Sequence, residues 1–138
     1  MLVVLDSNIF ISALITPRGC PGKIYDAWEN KHFAIVTCEE QIDELRRASR
    51  YPRIQQVIRP HLFGALLNRL RNSCIFEEIE HRHTAEDPND SYLLDLADCS
   101  GADYLITGDI QSGLLKRQRI GRAAIVTASA FCEKVLAL

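Results

Sequence analysis

Four acidic residues occupy positions at which an α/β chain could gather them around a metal ion. Asp6 directly follows the apolar segment LVVL, and Asp109 comes two residues after YLIT. Asp90 lies in the first turn of a later predicted helix, and Glu44 lies in the helix after the second predicted strand. Because sites in open α/β sheets form outside the carboxyl ends of the strands, the sequence predicts that these four acids meet at one edge of the sheet.

Carboxylates that converge in this way need a counter-ion. Two negative charges about 4 Å apart repel by roughly 4 kcal/mol at an effective dielectric constant near 20. Mg²⁺ relieves such repulsion with one or two carboxylates, several waters and phosphate oxygens as ligands, and one or two metal ions can activate water for attack on a phosphodiester. The pattern predicts a Mg²⁺ or Mn²⁺ site, with the number of metal ions left open.

Each acid also has a purely structural interpretation. Asp6 could cap the helix that follows it, and Asp87 could cap the helix that begins at Pro88. A carboxylate such as Asp90 in a first turn is stabilised by the helix dipole whatever its function. Glu44 could be one more solvated helix acid. The convergence of all four acids on one sheet edge is what favours the functional interpretation.

The spacing of apolar residues predicts strands that alternate with helices. Short continuous apolar runs are typical of parallel strands covered on both faces. Five strands are predicted, at 2–5, 33–37, 74–79, 104–107 and 123–127. Parallel neighbours joined by right-handed helical crossovers give the predicted fold class, α/β: a three-layer sandwich with a five-stranded, mostly parallel sheet, in one domain over 1–138.

Local signals indicate where the predicted helices begin and end. Thr37, followed three residues later by Glu40, has the capping-box pattern and predicts the start of a helix. Gly101 comes directly after the last periodic residue of the helix that begins at Pro88, as expected of a helix C-terminus. A short helix over 129–136 is predicted to close the chain.

Composition limits the class of protein further. No stretch approaches 18 consecutive apolar residues, and the N-terminus does not resemble a signal peptide, so we expect a cytoplasmic protein. The five cysteines are widely spaced and form no CxxC pair, which predicts reduced, buried thiols. Most of the 16 basic residues lie in two segments without acids, 45–76 and 110–132. Such segregation suits phosphate binding beside a carboxylate site, although solvated helix faces would also produce it.

Four segments of the chain resemble one family of small nucleases. They are VVLDSNIFISAL at the start, the predicted helix 39–48 with its following arginines, DPNDSYLLDLADCSGADYLITGD, and AAIVT. In this order they resemble the PIN-domain family and, within it, the VapC-like toxins of prokaryotic toxin–antitoxin systems. The resemblance implies a five-stranded parallel sheet flanked by helices, and cleavage of single-stranded RNA that depends on Mg²⁺ or Mn²⁺.

Matched by position, the resemblance also assigns roles to individual residues. The four catalytic acids of the family match Asp6, Glu44, Asp90 and Asp109, of which Asp6, Asp90 and Asp109 are the expected metal ligands. Polar residues that orient these acids match Asn8 and Thr107, and Asp87 matches an additional acid that is either an accessory ligand or a cap. Glu40 and Asp43 compete with Glu44, which is preferred because it precedes Leu45 and Arg46.

The resemblance further implies partners for the chain. They are RNA, an antitoxin protein that lays a helix in an apolar groove and fills the acidic site with a basic tail, and a second copy of the chain in a homodimer. Arg46, Arg47 and Arg50 are the predicted contacts to RNA.

Other functions compete with this interpretation. A haloacid-dehalogenase-type phosphatase needs a second Asp where this chain has Asn8, and a dinucleotide-binding Rossmann domain needs GxGxxG after the first strand. A receiver domain needs an acidic pair after the first strand and a late Lys near a strand end, and neither is present. The main alternative is a PIN-like module that binds RNA or protein without catalysis.

Overall fold

Six strands among the described residues form one sheet. The structure is a computed structural model that describes residues 1–108 and 113–137. The strands are β1 (Leu2–Leu5), β2 (Ala34–Thr37), β3 (Cys74–Ile75), β4 (Tyr104–Thr107), β5 (Arg119–Ile120) and β6 (Ala123–Thr127). Their order across the sheet is β3-β2-β1-β4-β6-β5, and the pairs are parallel except β5 with β6. The predicted α/β fold with a mostly parallel sheet is confirmed.

Helices connect the parallel strands. They are α1 (Ser7–Ile15), α2 (Cys20–Glu29), α3 (Glu39–Ala48), α4 (Pro52–Gln55), α5 (Pro60–Arg71), α6 (Ser91–Ser100), α7 (Leu114–Arg117) and α8 (Ala128–Ala130). A 3₁₀ turn, Pro88–Asp90, precedes α6, and a π-helical turn, Phe131–Val135, follows α8. As predicted, α6 ends at Gly101, whose φ of 70° lies in the left-handed region that glycine adopts readily.

The two central strands, β1 and β4, pack against apolar layers on both faces of the sheet. Val3 and Leu5 belong to one buried cluster and Val4 to the other, because successive side chains of a strand point to opposite faces. Each fully buried Val, Leu or Ile side chain of these layers contributes about 1.5–3 kcal/mol by leaving water. The central strands are therefore held firmly, and their carboxyl ends are fixed points for the residues that follow.

The structure corrects the predicted strands at both edges of the sheet. A sixth strand, β5, was not predicted, because two residues joined to β6 by a turn at Gly121 are too short for a periodic pattern. The predicted third strand over 74–79 is confined to β3, Cys74–Ile75. Beyond it the chain leaves the edge and is held against α6 by Asp95, which accepts hydrogen bonds from the backbone N–H groups of Arg82 and His83 at 2.9 and 2.8 Å.

The predicted capping box at the start of α3 is also wrong. The N-cap of α3 is Cys38, which makes no side-chain capping bond. Thr37 instead donates from Oγ1 to Oε1 of Gln41 at 2.6 Å, and both side chains are fully buried. A threonine hydroxyl bonds whichever acceptor the packing brings close, and here that acceptor lies one turn along the helix.

The five cysteines are free thiols, as predicted, but they are not all buried. Cys38 and Cys132 are buried, whereas Cys20 and Cys99 are half-buried and Cys74 is exposed on the edge strand β3. Within the described residues, no helix is long and apolar enough to cross a membrane.

Candidate active site

A cleft of about 940 Å³ opens at the carboxyl end of β1 and runs along α3. Three of the four predicted acids line it, and they come from three separate segments of the chain: Asp6, Glu44 and Asp90. The fourth, Asp109, lies outside the described residues. The cleft also has a basic and apolar wall, with side chains that include Arg47, Tyr51, Arg53 and Val57.

Asp6 is held in a fixed orientation at the end of β1. Its side chain is only 5% exposed, and each carboxylate oxygen accepts a hydrogen bond. Oδ1 accepts from the backbone N–H of Asn8 at 3.1 Å, and Oδ2 accepts from the Thr107 hydroxyl at 3.0 Å. Asp6 is therefore the N-cap of α1 as well as a wall of the cleft, so the structural and functional interpretations of this residue hold together.

Asn8 and Thr107, the predicted orienting residues, both contact Asp6. Thr107 does so with its side chain, which is fully buried at the end of β4. Asn8 does so through its backbone, while its side chain lines the cleft. These contacts result from the parallel pairing of β1 with β4, which places Leu5 beside Ile106 and so brings the residues that follow the two strands together.

Glu44, rather than Glu40, lines the cleft. The Glu44 side chain is half-buried, and its Oε1 accepts a hydrogen bond from the Tyr92 hydroxyl at 2.9 Å. Glu40 is exposed and lies outside the lining of the cleft. Asp43, the other neighbouring acid, forms an ion pair with Arg46 at 3.0 Å on the outer surface.

The two acids near the start of α6 occupy different surroundings. Asp90 is half-buried, lies at the N-terminus of α6 and lines the cleft, where the helix dipole stabilises its negative charge. Asp87 is exposed and does not line the cleft. Its Oδ1 accepts from the backbone N–H of Asn89 at 3.0 Å, so it caps the 3₁₀ turn before α6.

The donor atoms of the cleft suit a hard divalent cation. All three of its acids offer carboxylate oxygens, the ligands that Mg²⁺ and Mn²⁺ prefer over sulfur and imidazole. Across 1–108 and 113–137, no three Asp, Glu, His or Cys side chains are grouped closely enough to hold an ion by themselves. Mg²⁺ usually takes only one or two carboxylates and keeps several waters, so an open site of this kind fits it.

The predicted RNA-binding arginines are divided by the structure. Arg47 is exposed and lines the cleft. Arg46 pairs with Asp43, and Arg50 is exposed on the surface, and neither lines the cleft. Arg53 lines the cleft and was not singled out, although it belongs to the same acid-free segment as the other three.

Buried polar side chains behind the acids were not predicted either. The Tyr92 hydroxyl lies 3.1 Å from Ser7 Oγ as well as 2.9 Å from Glu44. Gln41 donates from Nε2 to the backbone oxygen of Leu5 at 2.6 Å and to Ser7 Oγ at 3.4 Å. Burial, with a further effect from the Glu44 charge, raises the pKa of Tyr92 well above its usual range, so its hydroxyl is protonated at neutral pH.

The signal for Tyr92 was present in the sequence. A tyrosine in the buried part of a helix needs a partner for its hydroxyl, and this one stands two residues after Asp90. The sequence position alone does not say which way its hydroxyl points; the hydrogen bonds to Ser7 and Glu44 do.

Comparison with known proteins gives three results. The family model described as PIN domain matches residues 2–111 of the chain. An uncharacterized protein of Methanocaldococcus jannaschii is 29% identical over 109 residues, which cover 78% of this chain and 70% of that protein. The crystal structure of VapBC2 from Rickettsia felis bound to a DNA fragment from their promoter contains a chain with a similar fold, with a TM-score of 0.56 and 16% identity over 92% of this chain and 98% of that one.

Proposed function

The chain belongs to the PIN domain family, whose members are generally nucleases that use divalent metal ions, and from this premise we propose that it is a metal-dependent endoribonuclease that cleaves single-stranded RNA. The observation that carries the proposal is the single cleft that Asp6, Glu44 and Asp90 line from three separate segments. The separate structural contacts of these residues do not explain why three carboxylates line one surface. Binding of a divalent cation would explain it.

Asp6, Asp90 and Asp109 would hold the ion directly, and Glu44 would hold one of its waters. A bound Mg²⁺ or Mn²⁺ supplies an activated water and neutralises charge on the phosphodiester. The chain's own contribution is orientation. Thr107 and the backbone N–H of Asn8 fix both oxygens of Asp6, so this carboxylate needs little rearrangement to bind.

Substrate binding is supported by the basic and apolar wall. Arg47 and Arg53 place positive charge on the wall of the cleft, where a phosphate backbone would run toward the acids. The Tyr51 side chain is 57% exposed on the same wall. Exposed aromatic rings beside cationic side chains stack on unpaired bases, which favours a single strand over a duplex.

Cleavage of defined RNAs tests this proposal. We expect the purified protein to cut a labelled single-stranded RNA with Mg²⁺ or Mn²⁺, to be inactive in EDTA, and to spare the duplex form of the same RNA. Asp6→Asn should abolish cleavage and leave the urea unfolding midpoint nearly unchanged, because the amide oxygen can still accept from the backbone N–H of Asn8 and the Thr107 hydroxyl can accept from the amide NH₂. Asp43→Asn is the matched control, since Asp43 pairs with Arg46 outside the cleft, and it should remain active.

The result that would contradict the proposal is equally specific. RNA binding that is unaffected by metal, with no cutting under any of these conditions, would identify a binding module instead. Cleavage that persists in Asp6→Asn would place the chemistry at another site.

For the biological role, we propose a toxin of a type II toxin–antitoxin pair, acting in the cytoplasm as a homodimer. The structural similarity to a chain of the Rickettsia felis VapBC2 complex supports this role. A short reading frame next to the coding sequence would be the expected antitoxin. Its product should block cleavage and relieve growth arrest on co-expression, and growth unaffected by the active protein alone would argue against a toxin.

A further inference from the structure

We propose that Tyr92 is a positioning residue for Glu44, at the end of a chain of hydrogen bonds whose donors all point toward the Glu44 carboxylate. The inference rests on the proposed function, because the orientation of Glu44 matters for chemistry only if the cleft binds a metal ion. Its own evidence is different. It comes from buried side chains behind the cleft rather than from the acids that line it.

The direction of each hydrogen bond follows from what its atoms can do. An ionised carboxylate only accepts, so Tyr92 gives its single hydroxyl proton to Oε1 of Glu44, 2.9 Å away. Ser7 Oγ lies 3.1 Å from the same hydroxyl oxygen, and it must therefore be the donor in that contact. Since the proton of Ser7 is then used, Nε2 of Gln41 donates to Ser7 Oγ at 3.4 Å.

The remaining contacts anchor this chain to the sheet. Gln41 gives its other amide proton to the backbone oxygen of Leu5 at 2.6 Å, and its Oε1 accepts from Thr37 at 2.6 Å. Leu5 is the last residue of β1 and Thr37 the last residue of β2. The order of donation is thus amide to serine, serine to tyrosine and tyrosine to carboxylate, with the amide itself fixed by two strand ends.

Burial makes this arrangement rigid and directional. Tyr92 is 4% exposed, Ser7 is 5% exposed, and Gln41 and Thr37 are fully buried. In such surroundings hydrogen bonds are electrostatically stronger than in water, and each donor polarises the next. Reversing one bond would leave a buried polar atom without a partner, so the negative charge of Glu44 sets the orientation of the whole chain.

The consequence is a connection through hydrogen bonds between two acids of the cleft. Asp6 follows Leu5 directly, so the contacts that hold Gln41 and Ser7 also tie Glu44 to the strand end that carries Asp6. Tyr92 occupies Oε1, and no described residue donates to Oε2 of Glu44, which leaves that oxygen for the cleft. Partners of this kind typically change metal affinity or activity by about 10- to 100-fold when they are removed.

Tyr92→Phe is the direct test, because it removes one oxygen and keeps the ring that packs in the core. We expect the affinity for Mn²⁺, measured by calorimetry or electron paramagnetic resonance, to fall about 10-fold or more. The kcat for RNA cleavage should fall as well, with the KM for RNA unchanged. Tyr104→Phe is the matched control, since Tyr104 begins β4 at the opposite end of the sheet, and it should leave both quantities unchanged.

A double-mutant cycle separates positioning from general stability. If Tyr92 acts through Glu44, the Tyr92→Phe change should have little further effect on Mn²⁺ affinity in a Glu44→Gln protein, and additive losses would overturn the inference. Ser7→Ala, which removes the donor to Tyr92, should give a smaller loss in the same direction and serves if Tyr92→Phe unfolds. Wild-type protein that binds no Mn²⁺ refutes the proposed function, whereas wild-type binding with equal affinity in Tyr92→Phe refutes only this inference.

Discussion

Arg47 and Arg53 should supply a measurable part of the salt dependence of RNA binding. Both line the cleft, and within the described residues neither lies within ion-pair distance of an acidic side chain. For single strands, log K falls with log salt by about 0.7 per neutralised phosphate. If each arginine neutralises one phosphate, changing both to Gln should reduce the slope by about 1.4 and weaken binding roughly 25-fold at about 0.1 M salt.

The assay uses the Asp6→Asn protein, so that RNA remains intact while it is bound. Fluorescence anisotropy of a labelled single-stranded RNA, titrated at several salt concentrations, gives the slope for the parent and for the double Arg47→Gln, Arg53→Gln variant. The control removes two charges that already have partners. Arg46 pairs with an aspartate at 3.0 Å and Arg71 with a glutamate at 2.9 Å, and neither lines the cleft.

Equal charge removal thus gives two different expectations. The control variant should keep nearly the full salt slope, because its guanidinium groups are paired with acids and do not line the cleft, whereas the slope of the cleft variant should fall by about 1.4. Equal slopes in both variants would show that only net charge matters. If the salt slope falls in the control variant but stays at the parent value in the cleft variant, RNA does not follow the path along the cleft proposed above.

Three further predictions follow from buried or exposed side chains. Gln41→Leu should lower the free energy of unfolding, measured by urea titration, by about 2–5 kcal/mol, because the backbone oxygen of Leu5 and the Thr37 hydroxyl each lose a hydrogen-bond partner. An unchanged free energy of unfolding would mean that water replaces the amide. Burial raises the pKa of the Cys38 thiol to about 11, so between about pH 9 and pH 11 this thiol loses its proton in the unfolded chain but keeps it in the folded protein. The free energy of unfolding should therefore fall as the pH rises through this range, and Cys38→Ala should make the fall smaller. Tyr51→Ala should weaken RNA binding about 5- to 150-fold while Tyr51→Phe retains it, and equal loss in both would exclude stacking.

The fold could be predicted from the sequence where strands are buried on both faces. The run LVVL is apolar throughout and YLIT is apolar up to its final threonine, because both faces of β1 and β4 are covered, and this makes the signal independent of the neighbouring strands. The edges behave differently. β5 has one exposed arginine and one buried isoleucine, and its pairing depends on the turn at Gly121 rather than on a pattern.

The position of Asp6 could be predicted for the same reason that the central strands could. Asp6 is placed by the end of its own strand, so one short segment is enough to locate it. The side chains that hold the acids could not be located this way. Gln41 stands between Glu40 and Ile42 and has the composition of a solvated helix position, yet it is fully buried, because its partner is the backbone of β1. That contact exists only once α3 has packed on the sheet.

A simple geometric relation nevertheless links the two groups of residues. Ser7 is the next residue after Asp6, Gln41 lies one helical turn before Glu44, and Tyr92 stands two residues after the third acid. Each supporting side chain therefore belongs to the same element as an acid. When three elements bring their carboxylates to one cleft, they must also bring these neighbours together behind it, where buried polar groups have to pair. The convergence that would create the proposed metal site thus also creates the hydrogen-bond chain behind it, and a polar residue beside a strand-end acid is where such a chain should be sought.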